Sequence, residues 1–358
     1  MSIYIHIPFC SSICTYCDFC KMYYNKKFSN EYINTLEQEI KERYQGEKVK
    51  TIFVGGGTPT SLDNDELVNL LEIIKKFNIE DNIEFTIESN IESLTEEKLQ
   101  IMKKYGVNRL SIGVQSFNDK ILKILGRNHT KEDIYNKIKL VKKYFDNINI
   151  DLIYAVANDI NIVKKDLEEF LKLGITHIST YSLIIEDKTI LKIKNHKNID
   201  EDIDYKMYKL IENTLEGNDY VHYEISNYAK KGYESKHNLV YWNNKEYYGF
   251  GLGSTSYINN IRITNTKNIT KYINRDFIEE TNYEDIETRI ENEIMLGLRK
   301  LEGINLIDFR DKYNIALEEK YNIKNLLEEK YLIKENNQLK INKKYIYISN
   351  EILLKILS

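Results

Sequence analysis

The chain has 358 residues, 42% of them hydrophobic and 30% charged, and carries a net charge of −4 from 51 Lys+Arg against 55 Asp+Glu. That length supports two or three packed units, and the balanced charge excludes a strong field for nucleic acid or anionic lipid. No apolar run approaches the roughly 18–20 residues of a membrane span, and MSIYIHIPF lacks the basic region and cleavage site of a signal peptide, so a cytoplasmic, reducing location is expected.

In chain order, IYIHI (3–7) predicts a strand, followed by a loop holding all four cysteines, Cys10, Cys14, Cys17 and Cys20. Helix spacing appears over 30–44, a buried strand ending in glycines over 50–57, and a helix over 64–77. The alternation continues with strands at 83–89, 109–116, 148–156 and 176–185 and helices at 95–106, 131–145 and 162–173. About six such β/α units over residues 1–200, without a G-x-G-x-x-G turn, predict an α/β fold built as a partial or full β/α barrel. The cysteines, GGGT, ESN and VQS all follow predicted strands, at the end of a barrel where active sites lie.

Beyond residue 200 comes a long helix (202–218) and then a polar, aromatic, glycine-punctuated connecting region reaching residue 286. Residues 287–358 combine helices with a predicted hairpin near LIKEN and LKINKKYIYI, the pattern of a small winged-helix-like α+β module. Its basic and acidic residues nearly balance, which argues against DNA binding.

The cysteine loop carries the chemistry. In a reducing compartment clustered thiols point to metal or redox work rather than disulfides. A structural zinc site would show a second C-x2-C knuckle, and none exists, although a zinc loop with bystander thiols stays open. Cys10, Cys14 and Cys17, spaced C-x3-C-x2-C, can hold three corners of a [4Fe–4S] cube and leave one iron open to an outside ligand.

YIHIPFCSSICTYC resembles the signature of radical S-adenosylmethionine (SAM) enzymes, specifically the oxygen-independent coproporphyrinogen dehydrogenase family and its heme chaperone branch, HemW. The resemblance runs over about residues 3–350, including GGGTPT (55–60), RLSIGVQSFN (109–118), YEISNYAKKGYESKHNLVYWNN (223–244) and ENEIMLGLRKLEGINL (291–306). It implies a cluster on Cys10, Cys14 and Cys17 that reduces SAM at the open iron, splitting it into methionine and a 5′-deoxyadenosyl radical. It places Gly56, Gly57, Thr58, Glu88 and Gln115 against SAM, Arg127 on the SAM carboxylate and Asp151 on the ribose hydroxyls. Tyr4 and Tyr16 match aromatic positions near SAM. Taken alone, the glycines, Glu88, Arg127, Tyr4 and Tyr16 have ordinary structural readings, from a turn glycine to a surface arginine, whereas Asp151 stands among apolar neighbours where an unpaired carboxylate is costly.

Within the family, the short stretch before Cys10, the C-x2-C spacing of Cys17 and Cys20, and the HN-x-x-YW segment at His237–Trp242 favour the chaperone branch. Heme binding and delivery to an acceptor protein is then the expected function, with an electron donor for the cluster and room for transient membrane contact. Oxidative decarboxylation of coproporphyrinogen III, or another SAM-radical reaction on a tetrapyrrole, is the alternative. Two departures bear on the tetrapyrrole side: DLIYAVAND replaces the family's DLIYGLPG, and Thr255 in GLGSTSY stands where the family has a histidine. His237 is the best-placed candidate for an axial heme ligand, or else a histidine hydrogen-bonded within the fold. Cys20 reads as a buried thiol, a cluster neighbour or a heme-reactive group.

Overall fold

The computed structural model describes residues 1–357. SIYIHI (β1, Ser2–Ile7) sets the pattern: Ile3, Ile5 and Ile7 are wholly buried, while Tyr4 and His6 alternate onto the opposite face. β2 (Val49–Gly56), β3 (Ile79–Asn90), β4 (Arg109–Gln115), β5 (Asn147–Tyr154) and β6 (His177–Ser182) follow in parallel. Helices between them cover one face, so the strands are buried on both sides. Each helix is locally specified. Asn25 caps the helix Lys26–Arg43, Asp63 and Glu66 form a capping box on Asn64–Ile74, and Gly174 ends Ile160–Leu173 in the left-handed conformation at φ 59°.

Residues 201–286, expected as a connecting region, add six strands to this same sheet. β7 (Val221–Glu224) and β8 (Asn227–Ala229) extend one edge antiparallel to β6. β9 (Tyr247–Phe250) pairs parallel with β1, and β10 (Thr255–Ile258), β11 (Ile261–Asn265) and β12 (Ile278–Tyr283) continue antiparallel. The order is β12-β11-β10-β9-β1-β2-β3-β4-β5-β6-β8-β7. The expected α/β barrel-type fold is thus present as a twelve-stranded ladder whose end strands are not paired to each other among the described residues.

The C-terminal module has its own core, in which Ile294, Phe309, Leu326 and Leu339 pack around a three-stranded sheet. Tyr208, from the helix Glu201–Glu216, enters that core, and Glu224 of β7 bridges to Lys300. No described helix is long and apolar enough to cross a membrane.

Candidate cofactor and ligand site

The cysteine loop is clamped from three sides. The amides of Gly57 and Thr58 donate to the carbonyls of Ile7 (2.9 Å) and Phe9 (2.8 Å), and the Ser61 hydroxyl donates to Phe9 O (2.9 Å). A Cβ on Gly56, whose φ is +114°, would fall 2.5 Å from the His6 ring, and one on Gly57 would lie 2.8 Å from the Phe9 carbonyl. The GGGT element therefore owes its glycines to close packing against the loop as well as to the groove beside it. His6 Nε2 donates to the carbonyl of Cys20 (2.7 Å), which leaves its Nδ1 to accept from the Tyr4 hydroxyl (3.0 Å). At the far end, Thr15 N donates to Leu125 O (3.1 Å).

All four cysteines are free thiols. Cys10, Cys14 and Cys17 line one small groove of about 120 Å³ together with Gly56, Gly57, Thr58, Glu88, Gln115, Arg127, Asp151 and Tyr16. Cys10 is buried and its Sγ lies 3.6 Å from Thr58 Oγ1, while Cys14 Sγ accepts from Arg127 Nη1 at 3.3 Å. Cys20 is absent from this groove. Its sulfur faces Gly253, where an added Cβ would come within 3.3 Å of it.

The rest of the groove follows from strand alternation. Glu88 and Asn90 on β3 share a face with Ser111 and Gly113 on β4 and with Asp151 on β5, through the pairs Glu88↔Ser111, Asn90↔Gly113 and Gly113↔Asp151. Glu88 Oε2 accepts from Gly56 N (3.0 Å); desolvation, reinforced by the charge of Asp151, pushes its carboxyl up to about 7. Asp151 is likewise shifted up by desolvation, against the hydroxyl of Ser179 and the amide of Asn149, whose Nδ2 donates at 2.8 Å. A bulge between Gly113 and Gln115 and a φ of 73° at Gln115 turn that side chain into the groove.

Arg127 donates through Nη2 to Asn90 Oδ1 (2.9 Å) and Gly113 O (2.6 Å), and pairs with Glu92 at 3.6 Å. Its Nε is buried without a partner. A Cβ on Gly113 would lie 2.8 Å from Gln115 Nε2 and 3.0 Å from Asn90 Oδ1, so a missing side chain keeps the groove open. Three unpaired sulfurs, an orphaned guanidinium nitrogen and two carboxylates around such a space fit a metal–sulfur centre with an amino-acid-bearing nucleotide beside it. Asn90 and Glu92 were not singled out in the sequence. The signal for Asn90 was its place two residues beyond Glu88 on the same strand face; Glu92 lies past the strand end and left none.

A larger cavity of about 580 Å³ adjoins the groove and shares Tyr16, Cys17, Glu88, Gln115 and Asp151 with it. Tyr4 lies here rather than in the groove. Phe53, Tyr241, Ile153 and Leu183 give it aromatic and aliphatic walls, and Phe19, Tyr181 and Ile184 are large exposed apolar residues that also line it. His237 reaches this cavity from the helix Lys236–Trp242 but is 1% exposed, with Nδ1 2.8 Å from Thr51 Oγ1 and Nε2 2.8 Å from the Tyr241 hydroxyl. Both ring nitrogens are engaged inside the fold, so the hydrogen-bonded reading of His237 is the one the geometry supports. Thr255 opens β10, beside Thr264 Oγ1 at 3.3 Å, and lines neither space.

The radical SAM superfamily pattern matches residues 4–174, and the HemN C-terminal domain matches residues 285–344. The chain is 38% identical to the heme chaperone HemW of Lactococcus lactis, covering 99% of this chain and 97% of the relative. The chain belongs to the HemW family of radical SAM proteins. HemW of Bacillus subtilis is 39% identical over 88% of each chain. Among solved structures, coproporphyrinogen III oxidase (HemN) from Escherichia coli superposes with a TM-score of 0.86 at 19% identity, over 99% of this chain and 89% of that one. The HemW-family membership and the HemN-like fold agree with the cysteine groove and with the separate C-terminal core.

Proposed function

We propose that this chain is a heme chaperone that binds a [4Fe–4S] cluster, SAM and heme, and passes the heme to an acceptor protein. The observation that carries the reading is the near full-length match to relatives named heme chaperone, in a chain whose three-cysteine groove opens into a second, larger cavity. In this reading Cys10, Cys14 and Cys17 hold the cluster. Arg127 meets the SAM carboxylate, Gly56, Gly57, Thr58 and Gln115 frame its methionine end, and Glu88 and Asp151 meet its hydroxyls and amine, with Tyr16 beside them. When bound, the two groups supply one-electron cleavage of a sulfonium. The cavity of about 580 Å³, in the size range of ligand pockets, takes the tetrapyrrole, with Tyr4 in its wall.

The protein purified without oxygen and reconstituted with iron and sulfide should retain heme at near one per chain and leave coproporphyrinogen III unchanged when SAM and reductant are supplied. Turnover of coproporphyrinogen III without heme retention would replace this reading with the oxidase one. Colourless protein carrying zinc would remove both.

A further inference from the structure

Arg109 is 2% exposed, at the start of β4, and lines the larger cavity without lining the cysteine groove. Its guanidinium has no ion pair or hydrogen bond among the described residues, and its Nε is buried without a partner. A buried cation in that state is costly unless an anion meets it.

No neighbouring group pairs with it directly. Glu84, on the same face of β3, has Oε1 on the amide of His237 (2.9 Å) and Oε2 on that of Lys236 (3.0 Å), holding the N-terminus of their helix. Asn149 Nδ2 is shared among Ser111 Oγ (2.8 Å), Ser179 Oγ (3.0 Å) and Asp151 Oδ1 (2.8 Å). His177 bonds Asn149 Oδ1 (2.6 Å) and the Tyr223 hydroxyl (2.7 Å), and His237 is saturated as described. Desolvation, then the charge of Arg109, holds both histidines below the usual range, so they stay neutral. Glu88 and Asp151 line both spaces and feel the charge of Arg109, but neither forms an ion pair or hydrogen bond with it.

We propose that Arg109 is a binding residue for a carboxylate of the ligand that fills the larger cavity, the ligand being an amphiphile with a broad apolar body against Phe53, Tyr241 and Leu183 and an acidic arm reaching the floor. This rests on the tetrapyrrole reading above for the identity of the body, and on the orphaned guanidinium alone for the acidic arm. A planar fork with free donors suits a carboxylate bidentately.

Heme and heme dimethyl ester, titrated anaerobically into the same detergent-matched samples, test it. The wild-type chain should bind the free acid at least tenfold more tightly than the ester. Arg109→Gln should weaken the acid to the level of the ester and leave the ester unchanged, and Arg109→Lys should restore part of the preference. Equal affinity of acid and ester in the wild type overturns the inference without any variant, so the test survives an Arg109→Gln chain that fails to fold. Loss of both ligands alike in a variant with intact cluster absorbance overturns it too, by making Arg109 structural. If neither tetrapyrrole binds, the heme reading falls, and 1-naphthoate against 1-naphthamide decides the carboxylate site by saturation-transfer NMR. A naphthoate signal that is present in the wild type and disappears in Arg109→Gln upholds the site; no preference for naphthoate over the amide sinks it.

Discussion

Three cysteines differ from the fourth in what surrounds them, and that difference is measurable. Cys14 lies under the Arg127 guanidinium and Cys10 beside Thr58, in a common groove, whereas Cys20 lies against Gly253 outside it. Cys14→Ser should reduce bound iron from about four per chain to near zero, because a cube with only two protein thiolates is not retained. Cys20→Ser should keep it; iron and sulfide analysis after reconstitution separates the two. Gly113 tests the groove in a different way. A methyl group there meets Gln115 and Asn90, with Arg127 Nη2 at 3.6 Å, so Gly113→Ala should preserve the cluster and weaken SAM binding by about tenfold, roughly 1.4 kcal/mol. Equilibrium dialysis with labelled SAM reads the outcome, and unchanged affinity would remove SAM from this groove.

At the scale of elements, buried carboxylates tie segments that are distant in sequence. Glu39, wholly buried on the first helix, accepts from Gly251 N (2.8 Å), Asn265 Nδ2 (2.6 Å), the Tyr272 hydroxyl (2.6 Å) and Arg43. Glu39→Ala strands these donors and should cost about 3–5 kcal/mol, read as a lower urea midpoint. Asp166 fastens the helix Ile160–Leu173 to the end of β4, accepting from Ser116 Oγ (2.7 Å) and Phe117 N (2.8 Å). Desolvation raises its carboxyl from 3.8 to about 6, with the Ser116 and Phe117 donors pulling against it. Between those values the folded chain holds a proton that the unfolded chain has released. Stability therefore falls as pH rises through that window, and the loss persists above pH 6. Asp166→Asn should be more stable than wild type at pH 8, by at most about 3 kcal/mol, with the gap narrowing by pH 5. A gap that widens toward acid would contradict the assignment.

The same elements show what the sequence made legible. β1 to β6 stood out because apolar runs alternated with helix-period segments. The polar inward face was visible only at strand ends, where motifs drew notice, and Arg109 sits within RLSIGVQSFN with nothing in that motif to mark it as a site residue. Whether a buried arginine is paired is a three-dimensional fact that spacing does not carry. The strands of 221–283 were illegible as sheet because β7, β8, β9 and β10 have only three or four residues each, too short for a period to register. Their pairing to β1 and β6 is long-range and leaves no local trace.

As a whole molecule, the chain places two adjoining spaces against one face of a single sheet, a narrow one floored by thiols and carboxylates and a wide one with apolar walls. The C-terminal module has a core of its own and meets the sheet at its β7 edge, through Tyr208 and the Glu224–Lys300 backbone bridge. The function proposed above joins these parts through a [4Fe–4S] cluster held by Cys10, Cys14 and Cys17, its open iron toward the narrow groove. Electron paramagnetic resonance of the reconstituted, reduced protein, recorded with and without SAM, tests that claim most directly. The account predicts a [4Fe–4S]⁺ signal whose g-values move when SAM is added, at about four irons per chain. A signal that stays unchanged at saturating SAM, or a protein that takes up zinc and no iron, would contradict it.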